Sequence, residues 1–259
     1  MALVTTEDRG AARHVVLNRP DKRNAMNGEL VQAIGVALKA AANDPDVHCV
    51  VLRGEGAMFS SGMDFSDLLS LSQAPENLRA FRNEILAIWN LAEEMAKPTV
   101  CSIHGGAIGG ALELALACDL RVAAQDALLG LPETRVGLIP DVGGSSRLPA
   151  VVGLGRAKEM IMTSRLVDGI EAERIGLVNR VAPADELEAA TQQLVDELLA
   201  CAPVAVGHAK RVMDASARPA LAATLEQEVT VQELCARSED YAEGARALAE
   251  KRQPEFSGR

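Results

Sequence analysis

The chain has 259 residues, of which 48% are hydrophobic and 24% charged, a balance that suits one large folded domain with or without an appendage. Aromatic residues make up only 2%, so the core must be aliphatic, and a base-stacking surface for single-stranded nucleic acid is not expected. A formal net charge of -10 argues against the basic face that non-specific nucleic-acid binding needs, while leaving room for an anionic small ligand held by a few local Lys and Arg side chains.

The N-terminal MALVTTEDRG has neither a basic nor an apolar leader segment, so no signal peptide is expected. HVVLN (14–18) reads as a strand that ends in the turn material RPDKRNAMNG. In the following ELVQAIGVALKAAANDP, Leu30, Ile34, Leu38 and Ala41 recur at helical spacing, and Asp44-Pro45 is the stop. HCVVLRGEG is a short apolar strand closed by glycines, and ENLRAFRNEILAIWNLAEEMAKP is a long amphipathic helix. TVCSIHGG is again a strand, and it runs into a further helix at AIGGALELALA. Strands separated by helices of this length imply crossover units and a mostly parallel, buried sheet. After about residue 185 four helical runs follow without a strand between them, so the expectation is an α/β core (1–195) and a C-terminal helical region (196–259).

Five cysteines, Cys49, Cys101, Cys118, Cys201 and Cys235, lie scattered among apolar neighbours with no C-x-x-C pair. They read as free buried thiols in a reducing compartment. No run of about 18 uncharged apolar residues is present. The expectation is therefore a cytoplasmic protein that does not engage membranes. None of His14, His48, His104 and His208 forms an i, i+4 ligand pair, so no metal site is expected.

Three glycine-bearing stretches break the local rules. HGGAIGGALELA (104–115) places Gly109 and Gly110 in the first turn of a helix and Glu113 one turn further on an otherwise apolar surface. Helix-opening N–H groups lack internal partners and sit at the positive end of the dipole. Without Cβ atoms they admit a ligand oxygen closely, which makes either an oxyanion site or simply close helix–strand packing. Glu113 then faces that ligand, or is a hydrogen-bonded core glutamate. In GAMFSSGMDFSDLL (56–69), Ser61, Met63 and Asp64 flank a turn that either aims a second N–H at the same oxygen or caps the next helix. LGLPETRVGLIPDVGGSSRLP (129–149) holds Glu133 beside Pro132, and Asp141 in a turn before two glycines. No dinucleotide G-x-G-x-x-G, P-loop lysine or G-x-S-x-G elbow accompanies them.

Together these stretches resemble the crotonase superfamily of enoyl-CoA hydratases and isomerases, in the family's order and over nearly the whole chain, from VVLNRPDKRNAMN through GLVNRVAP to EGARALAEKRQPEF. The resemblance implies a spiral of ββα units with a C-terminal helical region that trimerises, as a homotrimer or dimer of trimers. It implies an acyl-CoA thioester as substrate, with no cofactor beyond the CoA that the substrate carries. The thioester oxygen would be polarised between the N–H groups of Met63 and Gly110, with Gly109 beside them and Glu113 and Glu133 as the acid–base pair of a hydratase. Asp141 stands where many hydratases have glycine and dienoyl-CoA isomerases have a catalytic aspartate. CoA would meet the segment Lys22, Arg23 and Ala25, the turn with Ser61 and Asp64, and Lys251 from a neighbouring subunit. Leu248 stands where relatives often have phenylalanine. Met63, Leu68, Leu71 and Ile139 are candidates for the acyl pocket.

Overall fold

The computed structural model describes residues 2–259. Its first strands are β1 (Val4–Arg9) and β2 (Ala12–Leu17), an antiparallel hairpin. β1 was not expected from the sequence, because VTTEDR is an exposed, charged edge with no apolar alternation. Helix α1 (Gly28–Asn43) starts at Asn27, whose side chain accepts the N–H of Leu30, and it buries Leu30, Ile34, Leu38 and Ala41 as its spacing predicts.

From β3 (Cys49–Gly54) onward the chain repeats one theme. A buried apolar strand enters the main sheet, the chain then steps through a short second row, and a helix returns. β3 is followed by Ser60 in the second row and then by α2 (Phe65–Gln73) and α3 (Leu78–Glu94). β4 (Thr99–Ile103) is followed by β5 (Gly106–Ile108) and α4 (Gly110–Ala117). β6 (Leu120–Ala124) is followed by β7 (Leu128–Gly130) and, after a single 3-10 turn, by α5 (Gly144–Val152). This is a spiral of ββα turns. The main sheet has the order β1-β2-β3-β4-β6-β8, with β8 at Arg180–Ala182, and every pair except β1–β2 is parallel. The expected direct passage from strand to helix at residues 99–117 is corrected in one detail: β5 intervenes and pairs in parallel with β7, and Gly109 is the N-cap of α4 rather than part of its first turn.

Helices α6 (Leu154–Thr163) and α7 (Gly169–Arg174) lead to β8. The four helical runs at the C-terminus are α8 (Leu187–Leu199), α9 (Pro203–Ala217), α10 (Leu221–Ala236) and α11 (Glu239–Glu250). The division at residue 195 falls inside α8, whose Leu187, Leu194 and Val195 belong to the main core. α9 is fastened by Lys210, which is buried, pairs with Asp119 at 2.8 Å and donates to the carbonyls of Ala92 and Lys97. A second, smaller apolar cluster of Leu78, Leu138, Val229, Ala236, Tyr241 and Ala245 joins α3, α10 and α11. Cys49, Cys101 and Cys118 are buried free thiols, whereas Cys201, expected inside, is exposed and Cys235 is half-buried. Among the described residues no helix is long and apolar enough to cross a membrane.

Candidate active site

The second row of short strands brings the two glycine stretches side by side. Ser60 N–H donates to Gly106 at 3.2 Å and Ile108 N–H to Ser60 at 3.4 Å, so residues 61–63 run beside residues 109–110. Gly62, at φ +95°, has no room for a side chain: a Cβ there would run into the Ile108 carbonyl and lie 3.7 Å from the Gly110 nitrogen. Met63 is held by a bridge to Met26, in which Met26 N–H donates to Gly62 and Asp64 N–H donates to Met26. That bridge uses the groups on either side of the Met63 N–H and leaves it free. Gly110 opens α4, so its N–H has no acceptor in the helix. Among the described residues neither N–H has a hydrogen-bond acceptor, and both residues line one cavity of about 390 Å³.

Glu113, Glu133 and Asp141 line the same cavity, whose walls include Phe65, Leu68, Leu78, Phe81, Ile85 and Leu138. Glu113, on α4, is 2% exposed, and its Oε1 accepts the N–H of Val142 at 2.9 Å and of Gly144 at 2.8 Å. Oε2 takes part in neither of these bonds. Burial, then the neighbouring charges of Glu133, Asp141 and Glu228, push this carboxyl well above its ordinary range. Glu133 lies over the turn at Gly109, since a Cβ there would come within 2.7 Å of its Oε1. Its Oε2 is buried without a partner, and burial raises the carboxyl to about 8. Burial also raises Asp141 to about 7, against the pull of the Arg82 guanidinium. Carboxyls that share an apolar cavity cannot all ionise near neutral pH, and a mixture of acid and base forms is what proton transfer requires.

The segment expected to meet CoA sits next to the turn at residues 61–63. Ser61 lines the cavity, and its N–H donates to the carbonyl of Arg23 at 3.0 Å. The Asn24 side chain donates to Glu55, Met58 and Phe59, and the Arg19 guanidinium holds the Ala25 carbonyl at 2.7 Å. Lys22 and Arg23 are exposed beside this junction. Asp64 does not line the cavity. It caps α2 by accepting Ser66 N–H at 3.0 Å and pairs with Arg19. Met63, Leu68 and Leu71 line the cavity, but Ile139 does not, because Gln232 ties its backbone at both N–H and C=O. Lys251, at the C-cap of α11, is exposed; α11 packs on its own chain, where Leu248 lines the cavity. Gly137 and Gly244 allow α11 to approach its own 3-10 turn, with room for no Cβ at either position.

Four further residues at the site were not anticipated: Arg82, Gln232 and Tyr241, which line the cavity, and Glu228 behind it. Their signal is a polar side chain on an apolar stripe. Arg82 lies between Leu78 and Ile85 on the buried face of α3, and Glu228 and Gln232 lie on the stripe with Leu225, Val229 and Ala236 on α10.

The sequence model of the enoyl-CoA hydratase/isomerase family matches residues 7–259. The chain is 33% identical over 245 residues to "Probable enoyl-CoA hydratase echA8" of Mycobacterium bovis, covering 95% of this chain and 94% of that one. It is 35% identical over 246 residues to the 2,3-dehydroadipyl-CoA hydratase of Escherichia coli, with 95% and 94% covered. The solved structure of carnitinyl-CoA hydratase from Mycobacterium avium superposes with a TM-score of 0.88 at 32% identity over 100% of both chains. Fold and sequence together define an α/β enzyme of the crotonase type that acts on acyl-CoA. The chain belongs to the enoyl-CoA hydratase/isomerase family.

Proposed function

We propose that this protein is an enoyl-CoA hydratase, adding water across the 2,3 double bond of a trans-2-enoyl-CoA thioester. The observation that carries this reading is the placement of two carboxyls with raised pKa, Glu113 and Glu133, in one apolar cavity with two unpartnered backbone N–H groups. The N–H groups of Met63 and Gly110 would take the thioester oxygen and stabilise the enolate, each donor contributing about 3 kcal/mol. One carboxylate takes a proton from water as it attacks C3, and the other carboxyl gives a proton to C2. Glu113 is the better fixed of the two, since its Oε1 is held by two N–H groups. CoA would run past Lys22, Arg23 and Ala25 toward the oxyanion turn, with Lys251 near its phosphates. Assembly would be as a homotrimer or a dimer of trimers, in the cytoplasm.

A second reading, a double-bond isomerase, is favoured by one observation: Asp141 faces the same cavity with its carboxyl raised to about 7. There Glu133 or Asp141 would shuttle a proton along the acyl chain without consuming water.

Turnover of crotonyl-CoA in isotopically labelled water, read by mass spectrometry, tests the choice. Labelled 3-hydroxybutyryl-CoA, lost in Glu113→Gln and Glu133→Gln, is the expected result. Absence of a hydrated product, together with migration of the double bond in 3-enoyl or 3,5-dienoyl thioesters, would replace the hydratase reading with the isomerase one.

A further inference from the structure

The segment from Pro140 to Ser146, a turn followed by the first residues of α5, presents a row of backbone N–H groups, several of them the ones a helix start leaves without internal partners. Two buried carboxylates from different parts of the chain divide that row between them. Glu113 of α4 takes Val142 and Gly144. Glu228 of α10 takes Gly143 at 2.9 Å on Oε2 and Ser146 at 2.6 Å on Oε1. Glu228 is 4% exposed, and Arg82 stands 3.5 Å from its Oε2. Arg82 Nε in turn donates to the Asp141 carbonyl at 2.6 Å, and its Nη2 donates to the Leu225 carbonyl of α10 at 2.6 Å. Gly143 sits at φ +108°, where a Cβ would strike the Arg147 guanidinium, so the turn has one path through this crowd.

We propose that Glu228 is a positioning residue for the reaction. By holding Gly143 and Ser146 it presents the adjacent N–H groups of Val142 and Gly144 to Glu113, and so orients the Glu113 carboxyl and fixes the backbone that carries Asp141. The inference rests on the reading of Glu113 as an acid–base group. Its consequence is that α10, a helix of the C-terminal region, completes the proton-transfer machinery without touching substrate.

The charged groups facing Glu228 are Arg82 of α3, Glu113 of α4 and Asp141 of the turn, while Arg147 of α5 is turned to Glu93 and the Val142 carbonyl. Its negative charge raises both Glu113 and Asp141. Glu228→Gln keeps the shape, but it removes the charge and turns an amide NH2 toward one of two N–H donors.

The experiment uses the full chain and whichever enoyl-CoA thioester it turns over, with Glu228→Gln, Glu228→Asp and Glu113→Gln measured in parallel. Glu228→Gln is expected to lower kcat about tenfold or more with KM changed less than about threefold. Its kcat/KM–pH limb should move to lower pH, because a neighbouring negative charge is gone. Glu228→Asp keeps that charge one methylene further back, so its limb should return toward the wild-type position while kcat stays reduced. A Glu228→Gln enzyme with wild-type kcat would overturn the proposal. So would a loss that follows the fraction unfolded with an unmoved pH limb in both variants. If Glu113→Gln retains wild-type turnover, the acid–base reading of Glu113 falls and the positioning role with it; if only Glu113→Gln loses turnover, the positioning role alone is overturned.

Discussion

The Tyr241 hydroxyl donates to the Leu68 carbonyl over 2.8 Å, tying α11 to α2, the helix that follows the Gly62 turn. Tyr241 and Leu68 both line the cavity, so this bond closes its wall with a segment from the opposite end of the sequence. Tyr241→Phe removes one partly buried hydrogen bond and should lower stability by about 1 kcal/mol. Thermal unfolding measures that loss, and steady-state kinetics should show KM rising a few-fold with kcat little changed. A fall in kcat alone would place Tyr241 in the chemistry and not in the wall.

The three carboxyls should separate by role. Glu113→Gln and Glu133→Gln should each lower hydration by about 10²–10⁴-fold, the usual range for loss of a positioned acid or base. Asp141→Asn should leave hydration within about fivefold of wild type, because Asp141 is not one of the two groups that reading uses. Loss of turnover in Asp141→Asn with no incorporation of labelled water would instead favour isomerisation.

Gly62→Ala should remove activity while Gly28→Ala should not. At Gly62 a methyl group meets the Ile108 carbonyl at a positive φ, so the turn that presents the Met63 N–H must shift; Gly28, at the exposed start of α1, has open space around it. Misplacing one oxyanion donor is worth about 10²–10³ in kcat. A Gly62→Ala enzyme with wild-type kcat would show that the turn is not part of the oxyanion site.

Stability should fall as pH rises through the range in which the cavity carboxyls ionise. Glu133 at about 8 and Asp141 at about 7 are both raised, chiefly by burial. A carboxyl whose folded pKa is raised binds its proton more tightly in the folded state. Its stabilisation is complete below the unfolded value near 4 and is lost as pH climbs through the folded value. Unfolding of the protein without substrate, followed from about pH 5 to 8.5, should show this decline. Glu133→Gln and Asp141→Asn should each flatten it, and an unchanged slope in both variants would contradict the assignment.

Asp64 should behave in the opposite sense. Burial pushes its carboxyl up, but the Arg19 guanidinium and Ser66 outweigh that and hold it at about 2. Its stabilisation is present above the unfolded value and is lost as pH falls toward 2. Asp64→Ala removes the α2 cap and the Arg19 partner and should cost about 1–2 kcal/mol, read as a lower midpoint in urea.

Much of this architecture was legible in the chain. The spacing of Leu30, Ile34, Leu38 and Ala41, the apolar run at Cys49–Gly54 and the four C-terminal helical runs each specified their element, because burial of one face imposes a period on the residues. β1 was not legible, since an exposed edge strand imposes no such period. β5 was hidden because a strand of three residues, two of them small, is too short to show one. Glu113 stood out as a carboxyl on an apolar helical stretch, whereas Glu133 and Asp141 were singled out by the family resemblance and not by their surroundings. Arg82, Glu228 and Gln232 were not singled out, because which polar residue on an apolar stripe is buried depends on how α3 and α10 pack.

By itself the sequence determined the crossover pattern, the two glycine turns and the order of the acidic residues, all set by local conformational preference and hydrophobic periodicity. Only the tertiary structure decided which groups meet. Residues 62 and 110, 113 and 144, 68 and 241, and 143 and 228 are far apart in the chain, and their contacts follow from how the spiral turns and the C-terminal helices stack. The same holds for the raised cavity carboxyls. Desolvation and mutual repulsion depend on what surrounds a group in space, and no local stretch of sequence contains that information.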